Sequence, residues 1–262
     1  MTVATSVSPL LVVERLSKTY GPIVACDRIS FSLYPGQVLG IIGESGSGKT
    51  TLLNAIAGHH PIDSGHIHYR PRSGERLNLQ TLPEPQLRQI LRDEWGFVQQ
   101  SPRDGLRLNV SAGANIGERL MAVGARHYGN IRAEAARWLA QVEIPTERID
   151  GLPRTFSGGM QQRLQLARVL VTQPRLVLMD EPTGGLDVSV QAKLLDLMRS
   201  LVRSLDLSVI LVTHDIGVVR LLADRLLVMQ GGSVVESGLT DQVLDDPQHP
   251  YTQQLVSATL VP

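Results

Sequence analysis

The chain has 262 residues, with 25 basic and 25 acidic side chains that balance to zero formal charge, and a single cysteine. This length allows one large α/β domain with an ample apolar core, and the charge balance excludes a general nucleic-acid or anionic-membrane surface. One cysteine excludes an internal disulfide; with no charged-then-apolar leader and no apolar run of about 18 residues, the chain reads as cytoplasmic and without membrane insertion.

Residues 1–9 are small and polar and read as a loose tail. Residues 10–16 and 29–34 have strand patterning, and Lys18-Thr19-Tyr20-Gly21-Pro22 between them reads as a turn. Tyr20 would sit on that turn, where a ring could stack on a purine face; an exposed loop tyrosine is also ordinary surface. Cys26 reads as a small buried residue, because no helix start or basic cluster beside it would lower its pKa.

The apolar run Val38–Ile42 then enters Gly43-Glu44-Ser45-Gly46-Ser47-Gly48-Lys49-Thr50, which fits the phosphate-loop pattern G-x-x-x-x-G-K-[ST] at every fixed position, and residues 50–57 read as a helix leaving it. Gly43, Gly46 and Gly48 let backbone N–H groups, including those at Ser45 and Ser47, close around phosphate oxygens with no Cβ in the way. The helix N-terminus adds its positive end. Lys49 would reach the β- and γ-phosphates, the Thr50 hydroxyl would ligate Mg²⁺, and Thr51 would lie near the α-phosphate. The chain is therefore expected to bind a nucleoside triphosphate.

Residues 64–69 alternate like a strand and place His66 and His68 on one face; two histidines without further ligands read as a solvated face rather than a metal site. Residues 70–85 read as a surface excursion, 84–91 as a helix, and 95–100 as a strand ending in Gln99 and Gln100. From 103 to 155 the pattern is helical, at 115–123 and 131–144, which implies an inserted helical part. Arg126, Arg132 and Arg137 there read as a solvated helix face, since Glu134 and Glu143 dilute them. Ser157 is a natural N-cap, and Gly158 and Gly159 after it leave N–H groups bare, a second helix start suited to phosphate. Two further apolar strands end in polar residues: 176–179 in Asp180-Glu181, and 209–212 in Thr213-His214-Asp215. Open α/β sheets carry their sites at such ends. Asp180 would steady the Mg²⁺ shell, Glu181 would polarise the attacking water and His214 would contact the γ-phosphate.

Together the phosphate loop, Ser157-Gly158-Gly159, Asp180-Glu181, Leu186-Asp187 and His214 resemble the ATP-binding-cassette ATPases over essentially the whole chain. The resemblance implies an α/β P-loop NTPase core of RecA-like type, with an N-terminal antiparallel β part and an inserted α-helical subdomain. It implies a single domain over 1–262, with the nucleotide-binding core at 10–100 and 165–262 and the helical subdomain at about 101–164. By the same resemblance the chain hydrolyses ATP with Mg²⁺. Tyr20 stacks on adenine, and Gln100, with Gln99 as the alternative, joins Mg²⁺ to a coupling surface. Ser157, Gly158, Gly159, Met160 and Gln161 form the signature, and Gly184 to Asp187 the loop between subunits. Phe156, Met160 and Gly184-Gly185 depart from the usual Leu, Gln and Ser-Ala. One loop and one signature per chain imply a head-to-tail dimer with a second copy.

Within the family, Asp104-Gly105-Leu106-Arg107, the stretch from Asn115 to Met121, that from Gly124 to Gly129, and Thr183 to Gln191 resemble the cassette (K) subunits of phosphonate carbon–phosphorus lyase systems. That implies docking on a soluble lyase core, with a second cassette subunit of the same system as a further expected partner. Residues 101–129 would form the docking surface, with Arg103, Arg107, Arg119 and Arg126 as charged contacts. The second reading is the ATPase subunit of a peptide/nickel-type or phosphonate importer, which His249-Pro250-Tyr251-Thr252 resembles. A nucleic-acid-linked cassette would need long basic or coiled-coil insertions, which the sequence lacks.

Overall fold

The computed structural model describes residues 8–259, so nearly all of the loose tail expected at 1–9 lies outside the described residues. Two compact units divide the chain, one built from residues up to 87 and from 208 onward, the other from residues 88–207.

The first unit begins with β1 (Leu11–Tyr20) and β2 (Ile23–Leu33), an antiparallel hairpin whose register runs from Leu11 opposite Leu33 to Tyr20 opposite Ile23. The turn expected at 18–22 shrinks to Gly21-Pro22, and Tyr20 is the last residue of the strand. The reason is tertiary: Asp63 accepts hydrogen bonds from Lys18 Nζ at 2.9 Å, Thr19 N at 2.6 Å and the Thr19 hydroxyl at 2.7 Å, which keeps this end of β1 extended. Next come β3 (Val38–Ile42), α1 (Lys49–Ile56), β4 (Ser64–Tyr69) and the two-residue β5 (Leu77–Asn78). The hairpin and these last two strands form a sheet in the order β2-β1-β4-β5. Cys26 is fully buried, and desolvation pushes its thiol up to about 12, so it is no nucleophile. His66 and His68 share a face with ring centroids 6.0 Å apart, and their partners are Asn78 and Glu14.

Helix α2 (Glu84–Glu94) carries the chain into the second unit, followed by β6 (Trp95–Val98), α3 (Pro102–Gly105), α4 (Ala112–Ala122), α5 (Tyr128–Gln141), α6 (Gly158–Leu170), β7 (Leu176–Asp180) and α7 (Val188–Ser204). Strands β6 and β7 pair in parallel, with Val98 opposite Met179. Ile116 of α4, Trp138 and Leu139 of α5, and Leu164 of α6 are each at most 1% exposed and form an apolar interior. Helices α4 and α5 start three residues before the expected positions because each has a cap that period counting does not register. Ser111 accepts the Ala114 N–H and His127 the Asn130 N–H. Arg132 forks onto Asp150 at 2.7 Å twice and Arg137 pairs with Glu134, so these cations face carboxylates of their own unit.

The chain returns to the first unit with β8 (Ser208–Val212), α8 (Ile216–Leu222), β9 (Arg225–Gln230), β10 (Ser233–Leu239), α9 (Thr240–Asp245) and α10 (Pro250–Thr259). Strand β3 lies between β8 and β9, parallel to both, and β10 adds antiparallel to β9. Every residue of β3 and β8 is buried, which explains why they read as unbroken apolar runs. No helix among the described residues is long and apolar enough to cross a membrane.

Candidate nucleotide site

In the first unit, the parallel register of β3 and β8 puts Gly43 and His214 beyond the carboxyl ends of neighbouring strands: Ile41 faces Val212, and Thr213 N donates to Ile41 O at 3.1 Å. His214 is exposed, and the following Asp215 caps α8 by accepting the Gly217 N–H at 2.8 Å. Between Gly43 and α1 the chain forms a loop that only glycine can make. Gly43 and Gly48 have φ of 151° and 101°; a Cβ on Gly43 would lie 2.2 Å from the Met229 carbonyl oxygen, and one on Gly48 2.0 Å from that of Ala25. At Gly46, φ 82°, nothing lies within 4 Å, so this side of the loop is open. Lys49 is 8% exposed and folds over the loop, donating to the carbonyls of Gly43 and Glu44, both at 2.7 Å. The Ser47 hydroxyl is buried with no hydrogen-bond partner among the described residues. An open, glycine-walled loop at a helix N-terminus, with a buried ammonium and an unmet hydroxyl, fits a polyphosphate and its Mg²⁺.

Tyr20 belongs to the same neighbourhood through the hairpin: it pairs with Ile23, two residues before the Ala25 carbonyl that backs Gly48. Its ring is 44% exposed, with Lys18 Nζ 5.3 Å from the ring centre and His60 at its edge. A supported, open aromatic face can stack on a base.

The second unit holds the other group. Asp180 and Glu181 lie at the carboxyl end of β7, 6% and 9% exposed, and Glu181 adopts φ 45°, the left-handed region that carboxylate side chains enter at a cost. Gln99 and Gln100 follow the parallel β6 at the same edge. Gln100 is exposed, and its Cγ would lie 3.9 Å from a Cβ on Gly184. Ser157 caps α6 by accepting the Met160 N–H at 3.3 Å. Phe156 is buried against Gly151 with the Arg148 guanidinium 5.8 Å from its ring centre. Gln161 turns back, donating to the carbonyls of Pro153 and Phe156. Gly159 packs on Val190 and Gly158 near Leu186, so the start of α6 sits directly against the chain around Asp187. Asp187 caps α7, accepting from Val190 N at 2.9 Å and the Ser189 hydroxyl at 2.8 Å; the Val190 N–H first, then Ser189, hold its carboxyl below the usual range.

Two residues escaped the sequence reading. Gln165 is fully buried and bonds the Gln99 backbone in both directions, while Gln162 donates to the Pro182 carbonyl and accepts from Gln165 at 3.4 Å. One helix face thus ties the ends of both strands together. The available signal was two glutamines three apart among Leu164, Leu166 and Ala167, polar groups where a core face was due. The arginines of 101–129 do not form a set: Arg107 pairs with Glu118 at 2.7 Å, Arg119 donates to the carbonyls of Arg92 and Trp95, and Arg126 to those of Met121 and Ala125. Arg103 stands exposed on α3.

A sequence family described as ABC transporter matches residues 26–184. Over 96% of this chain and 98% of its own length, PhnK of Escherichia coli (strain K12), named as a phosphonates-utilization ATP-binding protein, is 65% identical. The oligopeptide transport ATP-binding protein OppD of Bacillus subtilis (strain 168) is 37% identical over 96% of this chain and 72% of its own. Among solved structures, a dimeric post-hydrolysis state of the ATP-binding cassette MJ0796, bound to ADP and Pi, superposes with a TM-score of 0.77 at 29% identity, covering 88% of this chain and 98% of that one.

Proposed function

The chain belongs to the ABC ATPase family, and from that premise we propose that it is the ATP-hydrolysing subunit of a phosphonate-degrading assembly, docked on a soluble carbon–phosphorus lyase core. One observation carries the finer part of this reading: 65% identity over nearly the whole of both chains to a protein named for phosphonates utilization, against 37% to one named for oligopeptide transport.

We assign the site as follows. Lys49 and the N–H groups of Gly43, Ser45, Gly46, Ser47, Gly48, Thr50 and Thr51 hold the triphosphate, with Tyr20 on the adenine. Thr50, Asp180 and Gln100 hold Mg²⁺, which when bound neutralises phosphate charge. Glu181 orients the attacking water and His214 meets the γ-phosphate end. Ser157, Gly158, Gly159, Met160, Gln161 and Asp187 serve the nucleotide of a second copy in a head-to-tail dimer; the similar cassette is also dimeric. The core comprises 10–100 and 165–262, and the helical subdomain 101–164. A second cassette subunit of the system is a further partner, and the chain works in the cytoplasm.

Tagged protein from cells growing on a phosphonate is expected to recover lyase-core subunits from the soluble fraction, and Arg103→Glu to weaken that recovery without touching ATP binding. Recovery of a membrane permease, or unchanged phosphonate growth on deleting the gene in a strain that depends on it, would leave the importer reading instead.

A further inference from the structure

The chain beyond β10 turns back onto the phosphate loop. Glu236, in β10, accepts the N–H groups of Gln248 at 2.8 Å and His249 at 3.0 Å, one on each carboxylate oxygen. His249 Nδ1 then accepts the Tyr251 N–H at 3.2 Å, which sets the first turn of α10. Tyr251 is 5% exposed, and its ring packs in a cluster with Ile42, Ile216, Val228 and Val243. Ile42 is the last residue of β3 before Gly43, so the ring lies under the strand end that feeds the loop. Its hydroxyl accepts the Glu44 N–H at 2.8 Å.

We propose that Tyr251 is a positioning residue for nucleotide binding, fixing the second peptide of the phosphate loop through Glu44 N–H. The loop needs such a hold. Three of its residues, Gly43, Gly46 and Gly48, have positive φ and no side chain, so its free ensemble is wide and ordering it costs affinity. The two peptides that flank the Glu44 Cα are both held: Tyr251 takes the Glu44 N–H, and Lys49 Nζ and Ser47 N donate to the Glu44 carbonyl. Lys49 is the residue that a phosphate would claim, which makes the tyrosine the side-chain hold that persists. Tyr251 touches no phosphate position itself; it acts by keeping the loop in shape. The segment after β10 thereby becomes part of what sets nucleotide affinity, independently of which partner the ATPase serves.

Tyr251→Phe keeps the ring in its cluster and removes only the acceptor. In the full chain, the Kd for Mg-ATP and for Mg-ADP should rise about three- to tenfold, the size of one hydrogen bond, while the thermal midpoint stays near wild type. Steady-state kinetics should show a raised KM and an unchanged kcat, the mark of lost uniform binding. His249→Ala, which loosens the first turn of α10, should move affinity the same way by less. An unchanged Kd in a folded Tyr251→Phe overturns the proposal. A reading that needs no variant is amide exchange at Glu44 in the nucleotide-free protein: it should be slower than at Ser45 and Gly46, and equal rates at all three would equally overturn it.

Discussion

One side chain, Gln165, holds the backbone of Gln99 at both ends: its amide oxygen accepts the Gln99 N–H at 2.7 Å and its amide nitrogen donates to the Gln99 carbonyl at 3.1 Å. The glutamine stands in for a neighbouring strand just where β6 runs out, and it does so from α6, the helix capped by Ser157. Gly105 makes the space, since a Cβ there would lie 2.3 Å from the Gln165 amide oxygen. The position of Gln100 therefore depends on a residue of α6.

The first prediction uses that pair. Gln165→Ala should cost about 1–3 kcal/mol, because it leaves backbone groups of Gln99 without partners. Gly105→Ala should also destabilise the wild type, by pushing Gln165 off both bonds, yet cost little once Gln165 is already alanine. Denaturant unfolding of the four proteins measures this coupling, and simple additivity would show that Gly105 is not there for Gln165.

Glu181→Gln keeps the size of the side chain and removes the carboxylate. ATP hydrolysis should fall by roughly 10²- to 10⁴-fold while ATP still binds, and with Mg-ATP the variant should accumulate as a nucleotide-bound dimer on a sizing column. Wild-type turnover in the purified variant would take Glu181 out of the reaction.

Lys49→Ala and Tyr20→Ala should fail differently. Removing the buried ammonium should abolish ATP-dependent dimer formation. Removing the ring should weaken ATP by about 1–3 kcal/mol, the scale of stacking on a base, and leave tripolyphosphate binding unchanged. Equal ATP affinity in wild type and Tyr20→Ala would make the ring ordinary surface.

A pH dependence follows at Asp63. The Thr19 hydroxyl first, then Lys18 and the Thr19 N–H, lower its pKa from 3.8 to about 2. A carboxyl with a depressed folded pKa stabilises the fold above its unfolded value and loses that contribution as the pH falls through the folded one. Thermal midpoints of wild type and Asp63→Asn should therefore differ at neutral pH and converge between about pH 4 and pH 2. A constant gap would mean that the carboxylate charge contributes nothing there.

Much of the site was legible because its signals are local. The glycines at 43, 46 and 48, the apolar runs of β3, β7 and β8, and the Ser157 cap each follow from a few neighbouring residues whose backbone or burial needs leave a pattern. Boundaries were less legible: the caps Ser111 and His127 start their helices ahead of the apolar period, and Asp63 keeps Lys18 to Tyr20 in a strand although the turn residues nearby suggested otherwise. Beyond that, the sequence had no means of showing which distant groups meet. Gln165 reaches Gln99 across 66 positions and Tyr251 reaches Glu44 across 207. The inward turn of Arg119 onto the carbonyls of Arg92 and Trp95 likewise comes from contact with a segment more than 20 positions back. Local propensity carries no record of such contacts, because they exist only once the core has closed and a buried polar group must take whichever partner the fold has brought within reach.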